Sequence, residues 1–125
     1  MQKIQLVFYF IILLIGLGNS AQNALSHNAE WGARSTRDVL LSRDIVTEKF
    51  KALRVVSYDY EFKQKPPRFS HPRTITKIVV TDQYTDGDGG YATLKSGGPS
   101  TDHVVLHLKS QRGHGYNFVI DIYGQ

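Results

Sequence analysis

The sequence predicts a mostly β fold, a small antiparallel β-sandwich or a partly open barrel of about five to seven strands. Apolar and polar residues alternate with a period of two through much of the second half of the chain, which is typical of half-buried strands. Clusters of glycine, proline and aspartate separate these segments at regular spacing. The chain has no cysteine, so burial of apolar side chains has to hold the fold together without disulfides.

The first 20 residues have the three-part pattern of a cleavable secretory signal peptide. Lys3 gives a positive start, residues 4–17 are almost wholly apolar, and Gly18 and Ser20 supply small residues before a cut after Ser20. The apolar run is about 14 residues long, shorter than the roughly 20 needed to span a bilayer. We therefore expect cleavage after about Ser20, an extracellular protein, and no membrane span after cleavage.

Residues 21–30 are polar and show no periodicity, which predicts a flexible N-terminus. Trp31, the single tryptophan, marks the start of one β-rich domain over residues 31–125. The structure of residues 35–50 stays open. Ser35 and the aspartate three residues later resemble a helix capping box, which would place one short helix near the N-terminus. The apolar pattern fits two short strands equally well.

Five strands are predicted in the rest of the domain. They cover residues 56–62, 74–84, 91–95, 103–109 and 117–122. β-Branched residues on both faces of the second strand predict burial on both sides. The three prolines of residues 63–73 predict a loop, because proline cannot donate a hydrogen bond to a central strand. The last two strands are joined by a short glycine-bearing loop, which predicts a hairpin.

Three aromatic side chains alternate along the first of these strands. Tyr58, Tyr60 and Phe62 share one face, an arrangement that could form a stacking platform for single-stranded nucleic acid. Aromatic residues that recur with a period of two more often belong to the core of a half-buried sheet. We favour the core interpretation.

The segment from Asp86 to Gly90 has strong turn chemistry, because glycine reaches positive φ without steric cost. Its two aspartates are similar to the start of a calcium loop. Glycine stands at the next ligand position, however, and no glutamate follows at the twelfth. We therefore predict a structural turn formed by Asp86, Gly87, Asp88, Gly89 and Gly90.

The histidines are the remaining candidates for catalysis or metal binding. His103 and His107 share one face of a strand, roughly 13 Å apart along it, which is too far for both to bind one zinc ion. His114 does not shorten that distance, and a ribonuclease-like pair with Lys109 needs a convergence that the sequence does not show. The chain also lacks a cysteine nucleophile and a Gly-x-Ser-x-Gly elbow. The sequence predicts no enzyme, no catalytic residue, no metal and no cofactor.

The polar loop between the last two predicted strands is the best candidate for binding. It is charged and rich in glycine, so its backbone can approach a partner closely, and loops held by a rigid sheet are frequent binding positions. The alternative is that the loop only connects the two strands, and that its glycines supply the two flexible points that the connection needs. The candidate binding loop consists of Ser110, Gln111, Arg112, Gly113, His114 and Gly115.

The chain is mildly basic. Its net charge of +4 falls to +3 if Lys3 leaves with the signal peptide. The nearest basic group, formed by Lys63, Lys65, Arg68 and Arg73, is scattered through the proline-bearing loop. Nucleic acid or an anionic membrane usually needs a denser stripe of positive charge. We therefore expect no direct DNA binding.

Two glycine-rich stretches carry a resemblance to a known family. GDGGYATLKSGGPS at residues 87–100 and HLKSQRGHGYNFVIDIYG at residues 107–124 are similar to the multiprotein bridging factor 2 family of insects. WGAR at residues 31–34 and DVLL at residues 38–41 fit the same pattern less specifically. Tyr116 stands where the family pattern has an aliphatic residue.

The resemblance implies two different functions. The family is named for a transcriptional coactivator that bridges a nuclear receptor to the general transcription machinery and has no DNA-binding motif of its own. Many similar proteins carry signal peptides and look like salivary or haemolymph proteins, and the family supplies no catalytic residues. We favour a secreted, non-enzymatic binding protein that contacts an unknown protein or small ligand. The coactivator role is the alternative.

Overall fold

A computed structural model describes residues 25–65 and 71–125. These residues form seven antiparallel strands and no helix, in agreement with the predicted β fold. The strands are β1 (Ala29–Gly32), β2 (Val39–Glu48), β3 (Ser57–Lys63), β4 (Ile75–Asp82), β5 (Tyr91–Gly97), β6 (His103–Lys109) and β7 (Tyr116–Gly124). The predicted signal peptide and part of the proline-bearing loop, with Arg68, lie outside the described residues.

The strands belong to two sheets that share one core. The first has the order β1-β4-β7-β2 and the second the order β3-β6-β5, with every neighbouring pair antiparallel. Alternate side chains of the central strands are fully buried between the sheets, because a period of two turns one face of each strand inward. The largest of these core side chains are Ile75, Ile78, Val80, Val104, Leu106, Leu108, Tyr116, Phe118, Ile120 and Ile122.

The predicted hairpin of the last two strands is wrong. β6 pairs with β3 and β5, whereas β7 pairs with β4 and β2 in the other sheet. Both strands have a fully buried face, and the core receives one such face from each sheet. The loop 110–115 therefore crosses from one sheet to the other.

β4 is buried on one face and partly exposed on the other, which corrects the prediction of burial on both sides. Ile78 and Val80 are fully buried, whereas Lys77, Val79 and Thr81 are intermediate. No other layer covers the outer face of this sheet within the described residues. The β-branched residues on that face reflect strand propensity without full burial.

Residues 35–50 contain one long strand, and neither a helix nor two strands. β2 runs from Val39 to Glu48 and is interrupted once, by an irregularity between Leu40 and Ser42. The capping-box residues close a turn before this strand: the Ser35 amide donates to a carboxylate oxygen of Asp38 at 2.6 Å, and the Asp38 amide donates to the Ser35 carbonyl at 3.2 Å. A local bond that can start a helix can equally close a turn.

β1 begins two residues before the predicted start of the domain. Ala29 and Glu30 pair with Val80 and Val79 of β4, so the end of the predicted flexible segment 21–30 belongs to a sheet. The sequence showed no periodicity there because the strand is four residues long, and a short edge strand carries little pattern.

β2 and β3 are edge strands of opposite sheets and flank one open side of the sandwich. The Tyr60 hydroxyl donates to the Asp44 carboxylate and so joins the two edges. A groove of about 340 Å³ lies beside this bond. Tyr60 is buried, Phe62 is partly buried and Tyr58 is half-exposed, so the three aromatics form no continuous stacking row.

Candidate functional site

The loop 110–115 lies at one end of the sandwich and is tied to the loop that precedes β3. The Ser110 amide donates to the Val56 carbonyl at 2.8 Å, and the Val56 amide donates to the Ser110 hydroxyl oxygen at 2.8 Å. Ser110 is buried, so this reciprocal pair satisfies polar groups that water does not reach. The first residue of the predicted binding loop is a structural anchor.

The middle of the same loop holds the backbone of residues 51–54. The Arg112 guanidinium donates to the Leu53 carbonyl at 2.9 Å, and the Gly113 amide donates to the Arg54 carbonyl at 2.8 Å. A further bond from the Arg54 amide to the Lys51 carbonyl, at 3.0 Å, closes a turn. The loop 110–115 thus braces a second loop that lies about 60 residues earlier in the chain.

Gly115 lets the two loops meet. A Cβ atom at this position would lie 2.2 Å from the Glu48 carbonyl oxygen and 2.9 Å from the Phe50 amide nitrogen. Both are backbone atoms, which cannot retreat as the end of a flexible side chain could. Glycine is required here by space, because a real Cβ almost never comes so close to another atom.

The predicted turn 86–90 reaches the other flank of the loop 110–115. The Gln111 side-chain amide donates to the carbonyls of Gly87 and Gly89, at 2.8 and 3.0 Å. Within the turn, the Asp88 amide donates to a carboxylate oxygen of Asp86 at 3.0 Å, which is the geometry of an Asx turn. The two groups of residues singled out in the sequence therefore lie side by side.

Residues 49–55 are exposed without interruption. They include Phe50 and Leu53, whose exposed fractions are 68% and 81%. Leu53 has φ = 61°, a left-handed conformation that is uncommon for a bulky residue and costs about 1–2 kcal/mol. A large apolar side chain is thus held in water by a backbone that is itself strained.

Four cations accompany these apolar side chains. Lys49, Lys51, Arg54 and Arg112 are all exposed, and none of them forms an ion pair with a described residue. Beyond the loop 110–115, on its other flank, Asp86 and Asp88 are exposed. We call the basic and apolar side the tip; it consists of Lys49, Phe50, Lys51, Leu53, Arg54 and Arg112.

Sequence reasoning missed the tip. The candidate basic group was placed at residues 63–73, where Lys63 pairs with Glu61 at 2.8 Å, an interaction that raises the pKa of the lysine. The signal was present in KFKALR at residues 49–54, where cations and apolar residues alternate. The sequence does not show that Phe50 and Leu53 of this segment are exposed, and the remaining cation, Arg112, is brought to it only by the fold.

The histidines do not converge on one point. His107 contacts Asp59 at 2.7 Å on the outer face of the second sheet, and Lys95 contacts the other oxygen of that carboxylate at 2.6 Å. The hydrogen bond from Lys95, followed by that from His107, holds the pKa of Asp59 below its usual value. His103 pairs instead with Asp102 at 3.0 Å.

The His114 amide donates to the Gln111 carbonyl at 3.0 Å within the loop 110–115, so the third histidine belongs to a different part of the surface. No three potential ligands among residues 25–65 and 71–125 are grouped to hold a metal ion. The same residues include no helix that is long and apolar enough to cross a membrane.

Comparisons with known proteins place the chain in a family. The family model described as "Transcription activator MBF2" matches residues 31–124. The chain is also similar to the "Probable salivary secreted peptide" of Bombus ignitus, at 41% identity over 100 residues that cover 80% of this chain and 71% of that protein. No solved structure matches the chain. The resemblance seen in the two glycine-rich stretches is confirmed, and the chain belongs to the Transcription activator MBF2 family.

Proposed function

We propose that this protein is a secreted, non-enzymatic binding protein that contacts its partner through the tip and the loop 110–115. The observation that carries the proposal is the construction of this end of the sandwich. Hydrogen bonds from Ser110, Arg112 and Gly113 brace a loop whose bulky side chains Phe50 and Leu53 are mostly exposed to solvent. Strain and exposure that do not serve packing are typical of a binding site.

Two features support the extracellular part of the proposal. Residues 1–20 have the pattern of a cleavable signal peptide, and the relative from Bombus ignitus is named a secreted peptide. The absence of cysteine is compatible with secretion, because thirteen apolar side chains of residues 25–65 and 71–125 are buried in the core between the two sheets.

The non-enzymatic part of the proposal is supported by the histidine geometry. His103 and His107 each bind a carboxylate of their own on an open sheet face. General acid–base catalysis needs groups that converge on one substrate, and this pair offers no such point. The tip presents cations and apolar side chains, which suit contact with a partner.

A transcriptional coactivator is the second candidate, and the description of the family favours it. It would require a pool of the protein that escapes secretion. Met1 is the only methionine in the sequence, so a shorter product that lacks the apolar run would have to begin at a non-standard codon. The two candidates therefore differ in a property that is simple to measure, the compartment in which the protein accumulates.

The test is fractionation of insect cells that express the full chain with a C-terminal tag. We expect the protein in the medium. Replacing two apolar residues of the presumed signal, Leu13→Arg together with Leu14→Arg, should retain it in the cells. Val39→Arg is the matched control, since Val39 is a half-exposed residue of the folded domain and its replacement should leave export unchanged. Wild-type protein that accumulates in the nucleus would favour the coactivator and contradict secretion.

A further inference from the structure

We propose that the tip binds the surface of membranes rich in anionic lipid. The inference rests on the proposed function and names the partner of the same site. Lys49, Lys51 and Arg54 lie between Phe50 and Leu53 or directly beside them, and all are exposed. An anionic bilayer surface offers what both kinds of side chain need, negative headgroups for the cations and the boundary of the acyl chains for the apolar groups.

The exposure of the tip favours a flat, deformable partner. Residues 49–55 are all exposed, and Phe50 and Leu53 present large apolar side chains to solvent. Small-molecule sites are concave, and the groove of about 340 Å³ lies elsewhere, between β2 and β3. An exposed loop with Phe50 and Leu53 at its surface suits insertion into an interface better than capture of a small ligand.

The tip is held in its exposed form before any partner arrives. The bond from Arg112 to the Leu53 carbonyl and the bond from Gly113 to the Arg54 carbonyl fix the backbone at the strained residue and at the residue that follows it. Leu53 therefore does not have to be ordered on binding, and preorganisation of this kind increases affinity. The guanidinium of Arg112 keeps its positive charge while it makes this bond.

The charge distribution gives the bound protein an orientation. Positive side chains lie on the flank of the loop 110–115 that faces residues 49–55, whereas Asp86 and Asp88 lie on the flank that faces the turn 86–90. An anionic surface attracts the first flank and repels the second. Glu48 directly precedes the tip and is the nearest acidic residue in sequence, so the cations outnumber it at the contact.

The experiment measures sedimentation of the protein with lipid vesicles. Protein purified from insect cells that express the full chain is mixed with vesicles of phosphatidylcholine alone or of phosphatidylcholine and phosphatidylserine in equal amounts. We expect binding to the anionic vesicles and not to the neutral ones. Binding should weaken as salt is raised, because the attraction is screened.

Two pairs of variants locate the contact. Lys49→Glu with Lys51→Glu should reduce affinity by about fivefold or more for each residue. Lys63→Glu with Lys65→Glu makes the same change in net charge at the other end of β3, and should bind as the wild type does. Phe50→Ser with Leu53→Asn should also reduce binding, whereas Ile45→Ser, at a residue that is 70% exposed on β2, should not.

Each outcome decides the inference. The inference is overturned if the wild-type protein does not sediment with anionic vesicles. It is also overturned if the tip variants and their controls lose binding equally. Unfolding curves in urea verify that all variants are folded. A secreted wild-type protein that binds an acidic protein through the tip but not vesicles would overturn the lipid inference and leave the proposed function standing. Retention of the wild-type chain in the nucleus would overturn the proposed function itself.

Discussion

Leu53 is a residue whose side chain serves binding better than stability. Its side chain is 81% exposed and its φ is positive, so it contributes little burial and costs conformational energy. A protein under selection for stability alone would carry glycine or asparagine at such a position. We infer that leucine is present for a contact with a partner.

We therefore expect Leu53→Asn to leave the free energy of unfolding unchanged or to raise it by up to about 1 kcal/mol, because asparagine tolerates the left-handed conformation. The measurement is urea denaturation. Leu94→Asn serves as the control, since Leu94 is partly exposed on β5 and asparagine is unfavourable in strands. A clear loss of stability in Leu53→Asn would mean that the leucine is structural.

Tyr116 is a second residue whose chemistry conflicts with its surroundings. Its side chain is fully buried, and its hydroxyl has no hydrogen-bond partner among the described residues. A buried hydroxyl without a bond costs about 1–3 kcal/mol, so Tyr116→Phe should unfold at a higher urea concentration than the wild type at neutral pH.

The same residue predicts a dependence of stability on pH. Burial, with a smaller contribution from Glu48, raises the pKa of Tyr116 from 10.0 to about 12. The folded state then holds the proton more tightly than the unfolded state, so this stabilisation is complete below pH 10 and is lost as the pH rises from 10 to 12. The fall should be smaller in Tyr116→Phe. Part of it should remain, since burial raises the pKa of Tyr60 as well. Identical alkaline profiles for the wild type and the variant would contradict this assignment.

At the scale of elements, the period-two pattern predicted the strands but not their partners. The alternation in β6 and β7 identified the inward faces correctly, since Leu106 and Ile120 are fully buried. It could not show that these faces come from different sheets, because a strand in either sheet of a sandwich has the same pattern. A hairpin and a crossing between sheets both need a glycine-bearing loop, so the loop 110–115 did not distinguish them.

One part of the candidate site could be predicted from the sequence, and the other part could not. The loop 110–115 stood out because its composition is unusual within one short segment. The tip did not, because the sequence of residues 49–54 does not show that its apolar side chains are exposed, and because Arg112 joins this segment only through its bond to the Leu53 carbonyl. A contact between segments so far apart in the chain is set by topology. The sequence did not decide between helix and strand for residues 35–50, because the bond between Ser35 and Asp38 can start a helix or close a turn before a strand.

The meeting of the two loops gives a prediction at this scale. We expect Gly115→Ala to reduce the free energy of unfolding by about 1–3 kcal/mol, because its Cβ would meet the backbone of Glu48 and Phe50. Gly113→Ala is the matched control. Gly113 has φ = 78°, but a Cβ atom added there would meet no atom closer than 3.9 Å. Gly113→Ala should therefore reduce the free energy of unfolding by less, about 1–2 kcal/mol. Equal stability of Gly115→Ala and the wild type would show that the loops can separate freely.

At the scale of the whole molecule, the two sheets supply the stability and one end supplies the contact. The core lies between β4 and β7 on one side and β6 on the other, and no residue of the tip belongs to it. This division explains why side chains at the tip can be strained and exposed without loss of the fold. We therefore propose that a stable β domain is exported in order to bind through one of its ends.

The most direct test of that claim is the intact mass of the protein recovered from the medium of insect cells that express the full chain. We predict the mass of residues 21–125 with no added N-glycan, because the sequence has no Asn-x-Ser/Thr site. A chain that retains residues 1–20, recovered from the cells and missing from the medium, would contradict it.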